Sequence, residues 1–132
     1  MGVMKLLLDT HTLLWAIRGS EKLGRTAKML MNSDDYTVHY SAVSAYEIMY
    51  KHNLGKLMGY SDIAENYFEA LITLGAEELP ITTQHAHFAG KFDWSHRDPF
   101  DRLLAAQAFV EGMILLTDDA AFKTLPWVNT AW

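Results

Sequence analysis

The chain has no cysteine, which excludes a disulfide framework, a thiolate zinc site and a cysteine nucleophile. No apolar run approaches the length that spans a bilayer. The opening MGVMKLLLDT is a poor signal peptide, because Asp9 interrupts its apolar run almost at once. Positive charge is also scarce: 11 Lys and Arg stand against 16 Asp and Glu, a formal charge of -5. That balance argues against a protein that holds nucleic acid by bulk electrostatics. It leaves open an enzyme that cuts nucleic acid, since clustered carboxylates would supply several of the negatives and bound divalent cations would offset them locally. Repeats, low-complexity tracts and linkers are lacking too. What remains is a chain of 132 residues, half of them apolar, which suits one domain spanning 1–132 with a substantial core and fits a cytoplasmic setting.

Apolar runs at Met4 to Leu8, Tyr36 to Tyr40 and Met113 to Leu116 read as strands, short and rich in branched or aromatic residues, as in parallel sheets covered on both faces. Shorter strands are expected at Glu78 to Ile81 and at Trp127 to Val128. Between them, helical patterning appears at 10–17, 21–31, from 41 or 44 through Asn53, at 62–74, from 82 or 83 through Ala89, and at 99–110. This alternation predicts an α/β sandwich around a mostly parallel sheet.

In such a sheet, ligand groups gather beyond the carboxyl ends of the strands. Asp9 directly follows the first strand, and Asp118 and Asp119 follow the 113–116 strand. Glu47 lies in the helix after the second strand, between Tyr46 and Ile48, where burial would be costly without a counter-charge. Asp98 and Asp101 open the helix before the 113–116 strand. Together they form a candidate oxygen-rich pocket for Mg²⁺ or Mn²⁺. Each acid also has an ordinary reading. Asp98-Pro99-Phe100-Asp101 is a good helix start in its own right, Asp9 could cap a strand end, Glu47 could pair with Lys51 four residues on, and Asp118 or Asp119 could cap a short helix. The recurrence of acids at one predicted sheet edge makes the case that no single acid makes.

Near these acids lie Lys51, His52, Lys56, Arg97 and Arg102. Lys51, Lys56 and Arg102 are candidate phosphate contacts, although Arg102 could equally hold Asp98 across one helical turn. The six histidines make no zinc signature, and His11 and His96 are ambiguous. Trp94 is the best candidate for an exposed aromatic contact, with a satellite cluster beneath its loop as the alternative.

The stretches LLLDTHTLLW (6–15), SAVSAYEI (41–48), LGKL (54–57), HRDPFDRLLAAQA (96–108) and LLTDDAAF (115–122), in this order, resemble a PIN-domain ribonuclease, and more narrowly the VapC-type toxin of a bacterial VapBC toxin–antitoxin pair. The resemblance implies a PIN-like three-layer α/β/α sandwich. It also implies an acidic site of Asp9, Glu47, Asp101 and Asp119, with Asp98 as an additional acid, Asp118 in a variable place, and Tyr46 in place of a more usual Trp with packing preserved. It further implies Mg²⁺- or Mn²⁺-dependent hydrolysis of RNA to 5′-phosphate and 3′-hydroxyl ends, a homodimer, silencing by a cognate VapB-like antitoxin, and DNA contact only through that partner. Thr10 and Thr117 could orient carboxylates or waters, or simply cap helices. Two other readings compete: a phosphatase or DNA-directed nuclease, and a non-catalytic PIN-like binding module. The first lacks the paired DxD opening of an aspartyl-phosphate phosphatase, and the second would predict loss of a metal acid, yet all four are present.

Overall fold

Three leucines at the start of the chain organise the molecule. In the computed structural model, which describes residues 3–132, β1 (Met4–Leu8) is the middle strand of a five-stranded, all-parallel sheet ordered β3-β2-β1-β4-β5. β2 spans Tyr36–Ser41, β3 Glu77–Leu79, β4 Ile114–Leu116 and β5 Thr130–Ala131. Leu6, Leu7 and Leu8 are all fully buried, because alternate side chains of a central strand enter opposite layers. Leu6 and Leu8 join one core with Leu13, Leu14, Ile48 and Leu71. Leu7 joins the other with Leu104, Ala105, Leu115 and Phe122. Each buried leucine is worth about 1.5–3 kcal/mol, so β1 stabilises both faces of the sandwich at once.

The helices are α1 (Thr10–Arg18), α2 (Arg25–Met31), α3 (Ala42–Asn53), α4 (Ser61–Glu65), α5 (Tyr67–Leu74), α6 (Thr83–Lys91) and α7 (Pro99–Glu111), with a 3₁₀ turn at Ala120–Thr124. The first core draws on α1, α2, α3, α4 and α5, and the second is covered by α7, against which α6 packs. The patterning predicts the α/β sandwich with its parallel sheet, and helices flank that sheet on both faces as the resemblance implies.

Where boundaries differ from expectation, local chemistry accounts for it. The helix expected from residue 21 starts only at Arg25: Gly24 is its N-cap, with extended backbone (φ -63°, ψ 155°), and lies so close to Trp132 that a Cβ there would be 2.7 Å from it. The helix expected over 62–74 breaks at Asn66, whose backbone leaves the helical region (φ -123°, ψ 42°) while its side-chain amide shares the Asp62 carbonyl with its own N–H (3.0 and 3.1 Å). At the end of the chain, Val128 is buried in the core instead of pairing, and the last strand forms at Thr130–Ala131 beside β4.

Candidate active site

Because every strand is parallel, the carboxyl ends of β1, β2 and β4 open on one edge of the sheet, and the helix starts that follow them converge there. Asp9 leaves β1 and caps α1, its Oδ1 accepting from the Thr10 amide at 2.6 Å. Its Oδ2 accepts from Thr117 Oγ1 at 2.7 Å, and Thr117 lies just past β4. The threonine therefore orients a carboxylate, while Thr10 Oγ1 meets Ser44 Oγ at 2.9 Å and ties α1 to α3. Thr117 Oγ1 also accepts from the Asp119 amide, and Asp119 caps the 3₁₀ turn through Ala121 N at 2.9 Å.

Glu47 is carried inward by α3, which starts at Ser41 with the serine hydroxyl accepting from Val43 N. It is only 3% exposed. Lys51 donates to its Oε2, the pairing expected at four-residue spacing, but Oε1 is buried without a partner. At the head of α7, Asp98 is the N-cap, accepting from Phe100 N at 2.9 Å ahead of Pro99. Asp101 lies one turn in, nearly buried, its Oδ2 2.6 Å from His96 Nε2. For Asp9, Asp98 and Asp119, capping and a place in the acidic cluster coexist: the cap uses one oxygen of a carboxylate that has two.

These side chains line one cleft of about 330 Å³, in which six carboxylates (Asp9, Glu47, Asp98, Asp101, Asp118 and Asp119) face Lys51, His11 and His96. The crowding is visible in their proton affinities. Burial raises the Asp9 pKa against the hydrogen bonds from Thr117 and Thr10, and the Glu47 charge adds to the rise. Asp101 is pushed up to about 7, by burial above all and then by Asp98, Asp9 and Glu47, despite its bond to His96. Lys51 is raised: burial would lower it, but Glu47, Asp98 and Asp101 outweigh that. Buried like charges with an unpartnered carboxylate oxygen fit a hard divalent cation, which would relieve the repulsion and give Glu47 Oε1 a partner. Asp9, Glu47 and Asp101 are the buried acids that could hold it, with Asp98 and Asp119 beside them.

Two of the expected phosphate contacts are not at this cleft. Arg102 turns away to donate to the carbonyls of Ala89 (2.9 Å), Phe92, Trp94 (3.3 Å) and His96 (3.4 Å), with its guanidinium 4.3 Å from the Phe92 ring centre. It does not line the cleft and does not pair with Asp98; four carbonyls in the 89–96 segment match a five-donor guanidinium better than one half-buried carboxylate does. Lys56 is exposed on the loop after α3 and is not among the residues lining the cleft. Trp94 belongs to the satellite cluster, donating to Thr124 Oγ1 at 2.8 Å and packing on Phe122. Tyr46 departs from the packing role expected of it: 65% exposed, it forms a rim with Tyr50 and Phe100. In sequence the role of His96 is ambiguous, and the signal for it is its position five residues ahead of Asp101 across a proline-started helix.

A family model described as "PIN domain" matches residues 6–128. No curated protein matches the chain. Among solved structures, a chain of DNA-bound VapBC from Salmonella typhimurium is similar with a TM-score of 0.68 at 20% identity, covering 98% of each chain. A chain of VapBC-1 from nontypeable Haemophilus influenzae gives 0.68 at 18%, covering 97% of each. A chain of VapBC2 from Rickettsia felis, bound to a DNA fragment from their promoter, gives 0.64 at 19%, covering 97% of this chain and 98% of that one. At these identities the structural likeness is one of fold.

Proposed function

This chain belongs to the PIN-domain family, and from that premise we propose that it is a Mg²⁺- or Mn²⁺-dependent endoribonuclease of the VapC toxin kind, neutralised by a cognate VapB-like antitoxin. The observation that carries the reading is the convergence of buried Asp9, Glu47 and Asp101 from separate elements on one cleft, with a Glu47 oxygen left unpartnered. A non-catalytic binding module has no use for that arrangement, since each buried like charge costs stability.

Asp9, Glu47 and Asp101 would hold the cation, with Asp98 and Asp119 completing the oxygen set. When bound, the ion supplies charge to polarise the phosphodiester, activate water and stabilise the leaving oxygen. The protein's own groups do the rest. Thr117 and the Thr10 amide hold both oxygens of Asp9 in one orientation. Lys51, at the cleft and paired with Glu47, is the cation best placed to meet a substrate phosphate. The exposed rings of Tyr46 and Tyr50 offer faces on which unpaired bases can stack. Water attacks the phosphorus in line and the 3′-oxygen leaves with a proton, so the products carry a 5′-phosphate and a 3′-hydroxyl. The whole of 1–132 acts in this reading as one nuclease domain, active as a homodimer in the cytoplasm and meeting DNA only through its antitoxin. None of the helices among the described residues is long and apolar enough to cross a membrane.

The test is incubation of partner-free protein with a mixed RNA pool in Mg²⁺, Mn²⁺ or EDTA, beside an Asp9→Asn preparation. Mapped cuts that require both metal and Asp9 are expected. Cleavage that survives EDTA, or absence of both cleavage and metal binding, would overturn the proposal.

A further inference from the structure

The acidic cleft also contains a nitrogen donor. His96 enters from the loop between α6 and α7, and its Nε2 lies 2.6 Å from Asp101 Oδ2. His96, Asp98 and Asp101 each present one donor atom, and the three lie within 4.8 Å of one another. Ligand atoms about 2.1 Å from one small cation stand at most about 4.2 Å apart, so the three lie close to the spacing that the ligands of one ion take. Independently, Glu47 Oε1 is buried without a partner in the same cleft.

The segment carrying His96 is held in place. Arg102 donates to the carbonyls of Phe92, Trp94 and His96, and the Trp94 ring lies 4.8 Å from the imidazole. The clamp explains what Arg102 does instead of meeting phosphate: it fixes the loop that presents His96 to Asp101. Support of this kind is characteristic of residues whose position a site depends on.

We propose that His96 is a ligand of the divalent-cation centre, giving it a mixed nitrogen–oxygen donor set that favours Mn²⁺ over Mg²⁺. The inference rests on the reading that this cleft holds a divalent cation. Imidazole binds the transition ions well, whereas Mg²⁺ prefers carboxylate and water oxygens. An all-oxygen site made of the same aspartates would lack that bias.

The experiment is electron spin-echo spectroscopy of Mn²⁺ bound to the full chain, reading the ¹⁴N modulation that a coordinated imidazole produces, together with Mn²⁺ and Mg²⁺ titrations by calorimetry. Nitrogen modulation is expected in the wild type and in His11→Ala, and is expected to vanish in His96→Gln. The same variant should weaken Mn²⁺ binding about tenfold or more and Mg²⁺ binding much less. Bound Mn²⁺ without nitrogen modulation, or modulation that persists in His96→Gln, overturns the assignment and leaves the nuclease reading standing. Equal weakening of both metals overturns the Mn²⁺ preference, and together with absent nitrogen modulation it makes His96 a positioning residue for Asp101. Failure of the wild type to bind Mn²⁺ at all removes the cation reading underneath, and this inference with it.

Discussion

Two histidine–carboxylate pairs sit at opposite ends of α7, and they differ in their surroundings. His85, fully buried, accepts from Thr82 N at 3.0 Å through Nδ1, so its Nε2 carries the proton that reaches Glu111 at 2.7 Å. Nearby, Ser41 donates to Gln107, and Gln107 donates to the Pro80 carbonyl. This network joins β2, α6 and α7, and its hydrogen-bonding groups find partners. His96–Asp101 is similar in distance, but its carboxylate shares a cleft with five others and with a Glu47 oxygen that has no partner. Buried polarity alone therefore does not mark a site. Crowded charge of one sign around an unpartnered carboxylate oxygen does: the hydroxyls of Thr37 and Tyr67 are also buried without partners, but neither lies among clustered carboxylates that a cation would relieve.

The contrast is broken most directly by exchanging single groups in the two networks. The largest effect is expected from Glu47→Gln, which removes the unpartnered carboxylate while keeping its shape. RNA cleavage should fall by at least about a hundredfold, with the fold retained by circular dichroism. Unchanged cleavage would place the chemistry elsewhere. His85→Leu should do the reverse. It leaves Glu111 and the Thr82 amide without their partner and costs about 1–3 kcal/mol, read as a Tm lower by several degrees, with cleavage per folded molecule maintained. A drop in activity beyond the loss of folded protein would erase the distinction.

A smaller effect comes from pH. The Asp101 pKa is raised in the fold to about 7, so its contribution to stability is full below the unfolded value of about 4 and is lost as pH rises through about 7. Metal-free protein should lose about 1–2 kcal/mol across that window, allowing for screening at the open side of the cleft. Asp101→Asn should reduce the dependence, leaving the part that the raised Asp9 contributes, and raise the metal-free Tm at pH 8 but not at pH 4. Mg²⁺ or Mn²⁺ should stabilise the wild type more at pH 8 than at pH 5. Thermal melts at these pH values check all three, and a flat profile in the wild type would show that Asp101 does not feel its neighbours. The smallest effect sharpens the boundary of the site: Lys56→Ala should change cleavage less than about twofold, whereas Lys51→Ala should reduce it about tenfold, through both phosphate contact and Glu47. Kinetics on one mapped RNA would rank the two lysines.

Much of the cleft was legible as a pattern. An acid directly after an apolar strand, as at Asp9, must project from the carboxyl edge of a parallel sheet, and Asp98-Pro99 must start a helix there, which brings Asp101 in one turn later. Lys51 was legible as a partner of Glu47 because four residues make one face of a helix. The long side chains were less so. Arg102 and Lys56 lie close to acids in sequence, but where a flexible cation points depends on which acceptors the rest of the chain sets around it. The single helix expected over 62–74 divides in two: apolar spacing continues smoothly through Asn66, while the break is a change of backbone angle at that one residue, which periodicity does not record.

Sequence by itself determined the alternation of strands and helices, the double-sided burial of Leu6 to Leu8, and the set of acids destined for one edge, because each depends on local periodicity and on the fixed geometry of parallel sheets. Tertiary structure alone decided which acid oxygens are already used in caps and which are left over, that Thr117 fastens Asp9 from 108 positions away, and that the 92–96 segment folds back under Arg102 to bring His96 against Asp101. Those outcomes rest on distances between groups far apart in the chain or joined by an irregular loop, and no repeat of 2 or 3.6 residues encodes such distances.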